Sequence, residues 1–204
     1  MLNRRSLLLL TTGIAGAAAF GHARADAATD QATAFVKKTG DALIGVINGP
    51  GSNAQKRTQL TQIVDRTVDV QGIAKFCLGR FWRMATPDQQ KRYTDTFHQV
   101  LVTNITAKLG DYQGVRFNVN RAMPGEGGVQ VATTVLRPNE PPTDVQWVID
   151  NAAGDPKIVD VIAEGTSLRL TQRSDYASYL TRNSDNINAL ISAMQHQVEQ
   201  NANG

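Results

Sequence analysis

A change of hydrophobic period near residue 115 dictates the fold class. Before it, apolar residues recur every three or four positions: Phe35, Val36, Leu43, Val46 and Ile47 share one side of a helix, which Asn48-Gly49-Pro50-Gly51 ends. Leu60, Ile63 and Val64 mark a second helix, and Asp69 is placed to cap a third carrying Ile73, Cys77 and Leu78, with Gly79 just past its end. Thr86-Pro87-Asp88-Gln89 opens a long helix with an N-cap threonine, proline at the first helical position and glutamine at the third. Tyr93, Phe97, Val100, Leu101, Ile105 and Leu109 continue it to Gly110. Then the period becomes two. Val115, Phe117 and Val119 alternate with polar residues; Val129, Val131, Thr133 and Val135 follow a turn at 124–128; Val145, Trp147 and Ile149 follow Pro138–Pro142; Lys157 to Ile162 completes the set. A fifth short strand fits Ser167 to Leu170, and two helices follow, capped by Ser174 and Ser184. Strands joined by short turns and flanked by helices describe an α+β domain built on an antiparallel sheet of four to five strands, with the long helix that starts at Pro87 lying across it.

The N-terminus reads as a leader. Arg4 and Arg5 precede an apolar run from Leu7 to Phe20 and then Ala23-Arg24-Ala25, the order of a basic region, an apolar core and a small-x-small cleavage site. The run is shorter than the roughly 20 residues a membrane-spanning helix needs. The expectation is cleavage after Ala25, with residues 1–25 removed and 26–204 folding as one domain outside the cytoplasm. Asn3-Arg4-Arg5-Ser6-Leu7-Leu8 leaves twin-arginine export open beside the general route. Of the 21 lysines and arginines, three precede Asp26 and no acid does, so the remaining chain carries 18 charges of each sign. A nucleic-acid binder would be expected to keep a basic surplus, and this chain has none. Cys77, the single cysteine, rules out an internal disulfide, and no cysteine lies at the cleavage site to take a lipid anchor.

The residues offer little chemistry. His98 and His196 lie on separate helices with no ligand at i+4, no phosphate-cradling glycine loop is present, and the glycines at 125–128 belong to a turn. No metal or cofactor is expected. Cys77 reads as a small buried hydrophobe. Asp160 interrupts an apolar strand. Facing solvent or pairing with an arginine it is structural, and facing inward it would favour an enzyme with a cavity base. Asn104 falls near the middle of the long helix's apolar arc, where burial would require a core hydrogen bond, a ligand carbonyl or a water.

Two segments resemble the MlaC family of periplasmic phospholipid carriers of the toluene-tolerance/Mla lipid transport systems. Leu78-Gly79-Arg80-Phe81-Trp82-Arg83-Met84-Ala85-Thr86-Pro87-Asp88-Gln89 is similar to the family's Leu-Gly, aromatic pair and Ala-Thr-Pro-x-Gln helix opening. Asp160-Val161-Ile162-Ala163-Glu164-Gly165-Thr166-Ser167 is similar to its Asp-x-x-x-Glu-Gly-x-Ser signature, and Pro141-Pro142 before Gln146-Trp147 matches the layout between them. The likeness runs from about residue 30 to 197; Ile105, where the family often has tyrosine, and Asn104 are departures that bear on cavity shape and lipid preference. The resemblance implies helices and a curved sheet enclosing an apolar cavity for acyl chains, and a monomer passing phospholipid between an MCE-domain subunit of an inner-membrane ABC transporter and an outer-membrane lipoprotein complex. A carrier has a physical purpose: at ~0.8 kcal/mol per methylene, a ~16-carbon chain leaves a membrane for water at a cost of about 13 kcal/mol. Phe81, Trp82, Met84, Val100, Ile105, Val131, Trp147 and Val161 are the candidate cavity residues. The competing readings are a carrier of hopanoids or other lipids, an NTF2-like periplasmic enzyme acting on an apolar substrate, and a lipid-free envelope adaptor.

Overall fold

The computed structural model describes residues 17–107, 109–151 and 154–202. The leader's Arg4, Arg5 and apolar residues up to 16 lie outside the described residues, whereas Ala23-Arg24-Ala25 falls within the first helix. The elements run α1 (Ala17–Asn48), α2 (Asn53–Thr67), α3 (Val70–Leu78), a 3-10 turn (Gly79–Arg83), α4 (Pro87–Ala107), a second 3-10 turn (Gly110–Tyr112), β1 (Arg116–Gly125), β2 (Gly128–Leu136), β3 (Thr143–Asp150), β4 (Lys157–Ala163), β5 (Thr166–Ser167), α5 (Leu168–Arg182) and α6 (Ile187–Ala202). The five strands form an open antiparallel meander in chain order, so the fold is α+β as the change of period implies.

Local chemistry sets the helix ends. Asp69 accepts the Gly72 amide at 2.9 Å to open α3, and Gly79 closes it with φ of 59°, a left-handed conformation in which a side chain would be strained. Thr86 and Gln89 cap α4 reciprocally: the Gln89 amide donates to Thr86 Oγ1 at 3.2 Å and the Thr86 amide to Gln89 Oε1 at 3.0 Å. Ser52 and Gln55 do the same for α2. Two expected caps lie elsewhere. Ser167, not Ser174, caps α5, accepting the Leu170 amide at 3.2 Å, so the fifth strand stops at Ser167 and Leu168–Leu170 are already helical. Asn186, not Ser184, accepts the Ala189 amide at the start of α6; Ser184 sits in a left-handed turn at φ 54°.

The packing corrects a larger expectation. α4 does not lie across the sheet; it packs against α6, α2 and α3, and the helix over the sheet is α1, which crosses β1 and β2. Close approach depends on Gly40, where an added Cβ would stand 2.1 Å from the Phe117 ring of β1. Buried apolar side chains therefore divide into three groups. One joins α3 to α6 around Phe81, Tyr93, Phe97, Tyr176 and Leu180; a second lies between α1 and the sheet; a third, Leu60, Ile63 and Leu109, joins α2 to the end of α4.

Candidate functional site

The sheet face beneath α1 carries the longest ordered run of apolar side chains among the candidates. Val131 of β2 pairs with Trp147 of β3, and Trp147 pairs with Val161 of β4, so three of the eight candidates form one cross-strand row. Val131 is fully buried, while Trp147 and Val161 are half-buried. Val129, Ile149 and Ile158 extend this face, and Ala32 and Val36 of α1 close over it. The indole is fixed in place: Trp147 Nε1 donates to Thr133 Oγ1 at 3.0 Å, and Thr133 Oγ1 donates to the Val145 carbonyl at 3.0 Å. That relay satisfies two polar groups beside the apolar face and fixes the position of the indole nitrogen.

The other five candidates are not brought to that row. Phe81, Val100 and half-buried Trp82 belong to the α3–α6 core, Ile105 to the α2–α4 group, and Met84 is 60% exposed. Sequence reasoning had missed Ala32, and it had assigned Val36 to a helix face without a site role. Small residues on α1, with Gly40, were the available signal, since a helix lying close on a sheet needs them.

Asp160 interrupts its strand because of a bulge. Val148 pairs with Asp160 but Ile149 pairs with Ile158, so Val159 is the extra residue and Ile158, Val159 and Asp160 are all buried. Asp160 thus points away from α1 toward α5. Its carboxylate accepts the Ser167 hydroxyl at 2.5 Å and the amides of Val161 and Arg169 at 2.8 and 3.1 Å, and Arg169 Nε stands 3.3 Å away. With three hydrogen-bond donors and the Arg169 charge around it at the start of α5, this carboxylate fastens the helix to the sheet. It does not face the apolar row.

The remaining singled-out groups are structural too. Cys77 is buried, and burial, reinforced by the nearby Asp160 charge, pushes its thiol up to about 12. Burial likewise raises the Tyr93 and Tyr176 hydroxyls well above the ordinary tyrosine range. His98 Nε2 meets Asp65 Oδ1 at 2.7 Å, joining α4 to α2. Asn104, expected in the apolar arc, is exposed and bonds Asn201 and Gln197 of α6. Among the described residues no group of three or more His, Cys, Asp or Glu is arranged to hold a metal, and no helix is long and apolar enough to cross a membrane.

Residues 37–196 match the family model described as MlaC protein. The toluene tolerance protein ttg2D of Pseudomonas putida is 26% identical over 141 residues, a match covering 68% of this chain and 66% of that protein, just under two thirds of its length. A phospholipid-binding protein from Ralstonia solanacearum, solved in complex with a phospholipid, superposes with a TM-score of 0.72 at 21% identity, covering 83% of this chain and 98% of that one. That likeness shows the same fold.

Proposed function

The chain belongs to the MlaC family, and from that premise we propose that it is a periplasmic phospholipid carrier whose acyl tails lie between α1 and the sheet. The observation that carries the reading is the Val131–Trp147–Val161 row, which starts under α1 at β2 and runs out to half-buried positions on β3 and β4, an apolar face continuous over three strands within the segment that matches the family. The protein would be exported, cut after Ala25 and act as a monomer. It would accept or deliver phospholipid at an MCE-domain subunit of an inner-membrane ABC transporter and at an outer-membrane lipoprotein complex. Of the other five candidates, Phe81, Trp82, Val100 and Ile105 would line the cavity only where the helices part to admit tails, and exposed Met84 only at its mouth.

Surroundings of Asp160 weigh against the enzyme alternative. A cavity base needs a carboxylate that faces the substrate, and this one is surrounded by Ser167, Arg169 and backbone amides on the opposite side of β4. The test is native mass spectrometry of protein purified from its own periplasm. A complex heavier than the chain by the mass of a phospholipid, released on denaturation, supports the carrier. Protein that stays lipid-free even after incubation with phospholipid vesicles overturns it, and a bound polycyclic lipid would assign a different cargo.

A further inference from the structure

The 3-10 turn after α3 and the facing side of α5 enclose two adjoining grooves that the apolar row does not explain. Lys75, Arg80, Arg83 and Arg173 line the first, of about 530 Å³; Arg80, Arg173 and Arg182 line the second, of about 500 Å³. No acidic residue lines either groove, and none of these five cations is in a salt bridge among the described residues. Rings hold two of the guanidiniums without neutralising them: Arg80 lies 4.7 Å from the Phe81 centroid and Arg173 4.9 Å from that of Phe76. Gly79 lets Arg173 come close, since a Cβ there would meet its guanidinium at 3.3 Å. The C-terminus of α3 is nearby, but a helix end offers about half an elementary charge and leaves most of five cations unbalanced. Positive and negative charges are equal in total after Ala25, so five cations gathered here without an acid mean that the chain has segregated charge.

We propose that this groove docks on an anionic bilayer surface, its arginines on lipid phosphates and Trp82 and Met84 in the headgroup layer. Guanidinium forks match the paired oxygens of phosphate, as they do those of carboxylate, so the rim decides between the two. The rim favours a bilayer as its source. Half-buried Trp82 lines the first groove and Met84, 60% exposed, directly follows the same short turn; apolar and aromatic residues beside cations are the composition of surfaces that settle at membrane interfaces. The inference rests on the carrier reading only in that the partners proposed above hold the carrier next to a membrane.

Binding of the mature chain to vesicles of phosphatidylcholine alone, and of phosphatidylcholine mixed with phosphatidylglycerol, tests it. Each cation at an anionic surface strengthens partitioning about fivefold, so the Arg80→Gln/Arg173→Gln double variant loses roughly 25-fold on the mixed vesicles. The Arg116→Gln/Arg121→Gln variant, with the same charge removed from exposed positions on β1, binds like the wild type. Wild type that does not prefer anionic vesicles, or a groove variant that binds them unchanged, overturns the proposal and leaves an acidic protein surface as the occupant to seek. Inorganic phosphate that releases the protein no better than sodium chloride of equal ionic strength supports a bilayer; far better release by phosphate points to a soluble phosphate ligand and also overturns it. Bound phospholipid measured on the same samples keeps the two readings apart: lipid-free wild type sinks the carrier whatever the vesicles show, and a groove variant that retains its lipid while losing the vesicles supports both.

Discussion

Asp160 shows what a single carboxylate does in this fold and why its role is hidden in a one-dimensional pattern. Alternation along β4 leaves the direction of Asp160 open, because the bulge at Val159 changes the frame and nothing local to the sequence marks a bulge. The Asp-x-x-x-Glu-Gly-x-Ser spacing does carry the partner: Ser167 caps α5 and also donates its hydroxyl to Asp160. Asp160→Ala would strand two backbone amides and the Arg169 guanidinium, a loss of about 3 kcal/mol by urea unfolding, since each unsatisfied buried group costs ~1–3 kcal/mol. Lipid content of the molecules that remain folded should not change, because the carboxylate faces away from the apolar row. Cys77 is simpler, and its sequence reading holds. A buried thiol whose ionisation is pushed up to about 12 stays neutral near pH 8, so alkylation by N-ethylmaleimide should be slow in the native protein and fast in urea. Equal rates in both states would show that the cysteine is open to solvent.

The elements were legible where their ends carry chemistry and misread where burial is not apolar. Thr86, Pro87, Asp69 and Gly79 mark α3 and α4 where the structure puts them. Apolar residues alone draw the face of α4 through Leu101 and Ile105, which are only half-buried, whereas its buried positions include Thr96, Thr103 and Thr106. Thr96 and Thr106 return their hydroxyls to the carbonyls of Arg92 and Val102, at 2.8 and 3.0 Å, and so present methyl groups much as valine would. Counting them as polar shifts the expected face toward Leu101 and Ile105, which places Asn104 inside. Two substitutions probe the elements as they are. Thr86→Ala removes the α4 cap and should lower stability by about 1 kcal/mol. On α1, Gly40→Ala forces a Cβ into the Phe117 ring and should cost ~1–3 kcal/mol, whereas Gly45→Ala, with nothing within 4 Å, should gain up to about 1 kcal/mol. If both glycine variants gained stability, α1 would not be seated on β1.

At the scale of the whole molecule, the α+β class and the meander follow from the change of period, but the placing of α1 over the sheet does not. Period-two alternation says that one face of a sheet is covered; it does not say by which helix, and the long well-capped α4 was the more conspicuous choice. The division into three apolar groups is likewise a matter of tertiary contact, so the eight candidates scatter and only Val131, Trp147 and Val161 converge. The proposed export adds a prediction at this scale: N-terminal sequencing of protein recovered from the periplasm should begin at Asp26, and retention of Met1 would contradict the leader. The central claim is that phospholipid tails occupy the space over the row, and Val161→Trp addresses it most directly because the half-buried valine lies in the row beside Trp147. A packed core resists such an enlargement at ~1–3 kcal/mol, whereas a face that opens to admit tails can take the extra ring. The deciding measurement is phospholipid bound per molecule in Val161→Trp and wild type, read beside the thermal midpoint of each: the account predicts bound lipid lost at a nearly unchanged midpoint, and wild-type lipid content in a folded variant, or collapse of the fold itself, would contradict it.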